Sequence, residues 1–147
     1  YKAETNYKTI IQNYRDQLKL KKAPLSSSDF KVLQQLCESL QLKSKLVIRS
    51  VYLPDKTWLA SAVLFYDAGR LYNMVNCLST EGRLKEANYF LYDNIIREFS
   101  QQAELLDFEG SDLAAVASFY KKMQPENQPF YFVKYNDLPP LLKILKP

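Results

Sequence analysis

Ten consecutive residues, Thr57–Tyr66 (TWLASAVLFY), carry apolar or small side chains at almost every position. A strand with one wet face alternates apolar and polar residues. A strand that does not alternate must be covered on both sides. This segment therefore predicts a central strand in a sheet with helices on both faces, and so an α/β (α+β) fold. Its neighbours fit. Lys45–Leu53 (KLVIRSVYL) is rich in β-branched residues, and Pro54-Asp55-Lys56 makes a turn. Asp67-Ala68-Gly69-Arg70 reads as a hairpin turn into a strand over Leu71–Leu78 (LYNMVNCL). Three antiparallel strands in a meander are expected.

Elsewhere the apolar period is that of a helix. Tyr7, Ile10, Ile11, Tyr14 and Leu18 share one face of a helix expected over residues 3–22, which Pro24 stops. Ser28 or Asp29 is the expected cap of a second helix, Asp29–Leu42, with Phe30, Leu33, Leu36, Cys37 and Leu40 as its stripe. After a loop at Ser79–Gly82, a long helix is expected over Leu84–Gln102, burying Ala87, Phe90, Leu91, Asn94, Ile95 and Phe99. Glu104–Phe108 reads as a short strand, Asp112–Lys122 as a helix and Pro129–Tyr135 (PFYFVKY) as the last clear strand. Leu141–Leu145, beyond Pro139-Pro140, adds a short strand or folds back on the core. Strand, helix and strand in close succession imply a parallel pair with a right-handed crossover. The expected sheet is mixed: an antiparallel meander joined to parallel strands.

At 147 residues the chain has the size of a single domain. It begins at Tyr1 rather than Met, which predicts a piece of a longer protein. No apolar run of about 18 residues and no signal pattern occurs, so the expectation is a soluble cytoplasmic protein without a membrane span. There is no His, which removes imidazole bases, Ser-His triads and His-ligated zinc. Cys37 and Cys77 are too few to close a structural zinc site and read as reduced, buried small hydrophobes. Charge is uneven: residues 1–50 hold ten Lys/Arg against four Asp/Glu, the remainder ten against twelve. The basic part, with Arg15, Lys19, Lys21 and Lys22, is either a solvated helical face or a surface for phosphates.

Candidate chemistry gathers at one place. Leu71–Leu78 and Glu104–Phe108 should be neighbours, and ligands bind where strand ends diverge. The loop Ser79-Thr80-Glu81-Gly82-Arg83-Leu84 precedes a helix, whose free N–H groups and dipole can hold phosphates. It reads equally as an ordinary turn capped by Ser79 or Thr80. Asp107 or Glu109, before Gly110, could bind or deprotonate an amine, or Asp107 could be tied to backbone N–H groups. Tyr120 could give a proton to a leaving group, or be a packed tyrosine.

The segments LLDFEGSDLAAVASFYKKM and NQPFYFVKYNDLPPLLK, with the element order, resemble the GNAT acyltransferase superfamily. The closer likeness is to the C-terminal GNAT-type domain of FemAB-like tandem proteins. Thr5-Asn6-Tyr7-Lys8 through Arg15 resembles the start of such a domain. The resemblance implies a GNAT-like domain over residues 1–147, with a second such domain N-terminal to it. It implies acetyl-CoA or another acyl-CoA as co-substrate, with pyrophosphate on the Ser79–Leu84 loop, and an amine acceptor. A backbone N–H around Val75–Cys77 would polarise the thioester carbonyl, and Tyr120 would protonate the departing thiolate. Two positions depart from the family pattern. The loop has one glycine and carries Glu81, whose charge ~5 Å from a phosphate would cost roughly 3 kcal/mol at an effective dielectric of ~20. Gln124 stands where related chains often have Gly. Both departures also fit a Fem-like aminoacyl transferase that takes its donor from tRNA, or a non-catalytic half that packs on a partner domain.

Overall fold

The computed structural model describes residues 1–20, 25–110, 114–129 and 131. The chain forms two compact units, Tyr1–Asp112 and Leu113–Pro147. In the first, β1 (Lys2–Ala3), α1 (Tyr7–Leu20), α2 (Ser27–Leu42), β2 (Leu46–Tyr52), β3 (Trp58–Asp67), β4 (Arg70–Leu78), α3 (Thr80–Leu84), α4 (Ala87–Phe99) and β5 (Leu105–Asp107) follow in order. The second holds α5 (Ala114–Lys122). The expected strand Pro129–Tyr135, apart from Pro129 and Tyr131, and the segment Leu141–Leu145 lie outside the described residues.

Among the described residues five strands form one sheet in the order β1-β2-β3-β4-β5. Pairs β1–β2, β2–β3 and β3–β4 are antiparallel, and β5 runs parallel to β4. This is the mixed sheet expected, and among these strands β3 is central. Ala60, Ala62 and Leu64 on one face of β3, and Ser61 and Val63 on the other, are wholly buried. One core layer joins Tyr7, Ile10 and Ile11 of α1 and Phe30 and Cys37 of α2 to Ile48, Val63, Val75 and Cys77 of the sheet. On the other side α4 buries Ala87, Leu91, Tyr92, Ile95 and Phe99.

Four local differences from expectation have physical causes. Residues 2–3 pair with Ser50 and Arg49 as β1 instead of opening a helix. The apolar stripe starts only at Tyr7, and the Asn6 side chain accepts the N–H groups of Lys8 and Thr9, which starts α1 there. In α2 the cap is Ser26, whose hydroxyl accepts the Asp29 N–H while the Asp29 carboxylate accepts the Ser26 N–H. The long helix is split into α3 and α4 by Glu86, in the left-handed region at φ 52°. The α4 stripe consequently turns, so that Phe90 is 53% exposed and Tyr92 is wholly buried. After α5, Gln124 takes φ 53°, a left-handed conformation in which glycine carries no Cβ penalty.

An ion pair ties β2 to α4. The Arg49 guanidinium forks onto the Glu98 carboxylate, donating through Nε to Oε2 at 2.8 Å and through Nη2 to Oε1. The Tyr1 hydroxyl also donates to Oε2, at 2.6 Å. Hydrogen bonding from Arg49, the largest cause, holds the Glu98 carboxyl below its ordinary value. A depressed folded value gives stability that is present above the unfolded pKa of about 4.3 and is lost as pH falls through the folded one. Glu98→Gln should therefore cost about 1–2 kcal/mol at pH 7, since Glu98 is one-third exposed. In urea melts, the gap between variant and wild type should narrow towards pH 3. A gap independent of pH would exclude this origin.

Candidate functional site

The site begins where β4 loses its parallel neighbour. Pairing with β5 covers only Arg70↔Leu105, Leu71↔Leu106 and Tyr72↔Asp107. Beyond Tyr72, β4 runs on to Leu78 with no strand on that side among the described residues. The chain leaves β5 through Phe108, Glu109 (φ 59°) and Gly110 (φ 65°). Two contacts hold this departure. The Phe108 ring meets Tyr92 of α4 edge-on, with centroids 5.3 Å apart. Asp107 Oδ1 accepts the Glu109 N–H at 2.8 Å, while Oδ2 accepts from Arg70 Nη1 at 3.3 Å. Asp107 thus sits in the backbone-tied arrangement, and Glu109 is exposed.

A β-bulge lies at the same level. Val63 pairs with Val75 but Leu64 pairs with Asn73, so Met74 is the extra residue of β4. Before it, Leu71 and Asn73 face α4: Leu71 lines a cavity with Ile95 and Phe99, and the Asn73 Oδ1 accepts from the Tyr92 hydroxyl at 2.8 Å. After it, Val75 and Cys77 join the α1–α2 layer. That cavity, about 230 Å³, borders Leu105 and Leu106 at the paired end of β4, away from the opening.

The register also fixes where backbone donors point. Ser79 N–H donates to the Leu59 carbonyl at 2.9 Å. Alternate residues of an antiparallel strand bond to the same neighbour. The pairs Ser61↔Cys77 and Val63↔Val75 therefore hydrogen-bond across β3–β4. The N–H groups of Val75 and Cys77 are directed at β3, and those of Asn76 and Leu78 at the interval beyond β5. Leu78 N–H donates to Gln17 Oε1 of α1 at 3.0 Å, as this direction requires. The Asn76 side chain turns to α4, where it forms a reciprocal amide pair with Asn88, both bonds 2.9 Å. The expectation of a donor around Val75–Cys77 thus narrows to the residue between them. Sequence alone could not single out Asn76, since strand pairing decides which N–H groups face which way, and Gln17 lies 61 residues from its partner.

The loop after β4 is a capped helical turn. The Ser79 hydroxyl accepts the Gly82 N–H at 2.9 Å and donates to the Leu59 carbonyl. Gly82 is buried so closely against β3 that a Cβ there would fall 2.0 Å from the Leu59 carbonyl oxygen. Thr80 and Arg83 are exposed, and Leu84 is 81% exposed. The Glu81 carboxylate lies 3.7 Å from Lys85 Nζ, one turn along the chain. Burial pushes the Cys37 thiol up to about 11 and the Cys77 thiol up to about 12, so neither is a thiolate near neutrality. In the second unit, half-buried Tyr120 packs its ring 5.8 Å from that of Phe119. Among the described residues no cluster of three or more His, Cys, Asp or Glu could hold a metal ion, and no helix is long and apolar enough to cross a membrane.

No family model and no curated protein matches this sequence. Solved structures do match its fold. A possible acetyltransferase from Clostridium difficile superposes with a TM-score of 0.68 at 13% identity, over 93% of this chain and 96% of the other. A predicted acetyltransferase from Clostridium acetobutylicum, solved with acetyl-CoA, gives 0.66 at 14% identity over 86% and 88%. An aminoglycoside 6'-N-acetyltransferase from Acinetobacter baumannii gives 0.60 at 11% over 92% and 96%. At such identities the likeness establishes the fold, and that fold is the GNAT-like one.

Proposed function

We propose that this chain is a GNAT-type N-acyltransferase that moves an acetyl or other acyl group from acyl-CoA to an amine by direct attack. The observation that carries the reading is the interrupted pairing of β4 with β5, with the Asn76 N–H directed into the interval. Acyl-CoA, when bound, supplies an activated thioester. A fixed backbone donor such as Asn76 N–H would stabilise the oxyanion that develops on its carbonyl. The N–H groups of Thr80 and Glu81, in the first turn of α3, lie outside the helical ladder and suit phosphate oxygens, with exposed Arg83 beside them. Pairing with Lys85 offsets the Glu81 charge that would otherwise oppose them. Val75 and Cys77 lie in the α1–α2 core layer, with their N–H groups directed at β3.

The amine must be neutral to attack, against a pKa of about 10.4 in water. With Asp107 held by Arg70 and its own turn, Glu109 is the better placed carboxylate to take the proton, directly or through water. The resemblance assigns Tyr120 the acid role toward the thiolate. One observation favours a non-catalytic GNAT-like half instead. The only glycine of the α3 loop is spent on packing against Leu59 and cannot admit a close phosphate.

Acetyl-CoA added to the intact protein separates the two. At a hundred times its dissociation constant it should stabilise the fold by about 2.7 kcal/mol, raising the melting temperature by about 8–10 °C. No shift with acetyl-CoA or a longer acyl-CoA at millimolar concentration would remove the transferase reading. Tyr120→Phe should keep the thermal shift and lose about 10²- to 10⁴-fold in turnover. Unchanged turnover would take the acid role from Tyr120.

A further inference from the structure

The β5-facing edge of β4 offers two successive donors, Asn76 N–H and Leu78 N–H, and the protein has already filled the second. Gln17 sits on α1 between Tyr14 and Leu18, which pack against the core and anchor the helix there. Its side-chain oxygen accepts the Leu78 N–H at 3.0 Å, in a partly buried position. That oxygen stands where the carbonyl of a neighbouring strand, or of an extended ligand, would otherwise dock. An extended acyl-pantetheine arm is such a ligand. Five bonds separate its thioester carbonyl carbon from the nearest amide carbonyl carbon, against six in the two-residue repeat of a strand, ~6.8 Å, so the spacings nearly match. With a turn about the arm's single bonds, a thioester on Asn76 N–H brings an amide carbonyl within reach of Leu78 N–H.

We infer that Gln17 is a built-in competitor for the acyl donor, releasing Leu78 N–H only when the pantetheine arm takes it. The inference rests on the acyl-CoA reading. It adds a specificity element on α1: a donor must offer a carbonyl at that spacing to repay the displaced glutamine. A thioester without an amide at this distance gains nothing from Leu78.

The test is calorimetric titration of the intact protein with acetyl-CoA and with S-acetyl-pantetheine, which keeps the amides and lacks the phosphates. Gln17→Ala should bind both about fivefold more tightly, the worth of one freed hydrogen bond. Without ligand its melting temperature should fall, and saturating ligand should close that deficit. Gln17→Glu, a stronger charged acceptor, should bind S-acetyl-pantetheine more weakly than wild type. Wild type and Gln17→Ala binding alike, or Gln17→Ala binding more weakly, would overturn the role of Gln17 and leave the acyl-CoA reading intact. An effect on acetyl-CoA alone would also overturn it. Failure of every variant to bind either compound would overturn both.

Discussion

Gly82→Ala is expected to destabilise the protein by at least about 3 kcal/mol, lowering the melting temperature by about 10 °C, or to stop folding altogether. Alanine in a helix normally gains up to ~1 kcal/mol over glycine. Here the added Cβ would fall 2.0 Å from the Leu59 carbonyl oxygen and 2.8 Å from its carbon. Both are backbone atoms of β3, the strand buried on both faces, and that carbonyl also holds Ser79 N–H. Neither the strand nor the capped turn can yield without losing those bonds. Gly110→Ala is the control. Gly110 has φ 65° and nothing within 4 Å of where a methyl group would stand, so its cost should be only the ~1–2 kcal/mol of a left-handed alanine. If thermal melts rank the two equally, the steric account of Gly82 is wrong.

Tyr92→Ala should cost about 3–5 kcal/mol, because the ring is wholly buried and its removal leaves a cavity. Tyr92→Phe should cost only about 1 kcal/mol, the net value of the hydrogen bond to Asn73. The pair also reports on the site. The Tyr92 ring holds Phe108, the first residue past β5, against α4, and so helps draw the chain away from β4. Hydrogen exchange at Phe108–Gly110 should rise sharply in the alanine variant and little in the phenylalanine one. Equal protection in both would show that Phe108 does not need this contact.

What could be read from the sequence was what depends on local period. The unalternating run at Thr57–Tyr66 became β3 within a residue at each end, and Lys45–Leu53 and Leu71–Leu78 became β2 and β4 with similar accuracy. Two-residue β1 has no period, and only its pairing with Arg49 and Ser50 defines it. The break at Glu86 carries no Gly or Pro to announce it. The cap was expected at Ser28 or Asp29, and only the reciprocal bonds with Asp29 put it at Ser26, the first of three serines in a row. At the site, the turn at Ser79 and the carboxylate at Asp107 were visible as residue types. Their engagement with Leu59 and Arg70 was not, because those partners are remote in sequence. Nor could the direction of any N–H near Val75 be read without the register.

The bulge at Met74 acts on β4 as a frameshift acts on a message. The strand buries every second residue without interruption from Leu71 to Cys77, yet the first pair is buried under α4 and the second under α1 and α2. Were Met74 paired into the ladder instead of bulged out, the letters would be unchanged and their destinations exchanged. Val75 and Cys77 would be sent to the α4 side, and the Asn76 amide would be driven into an apolar layer that offers it no Asn88. One residue left out of the ladder thus decides which of the two cores each later side chain of the strand serves.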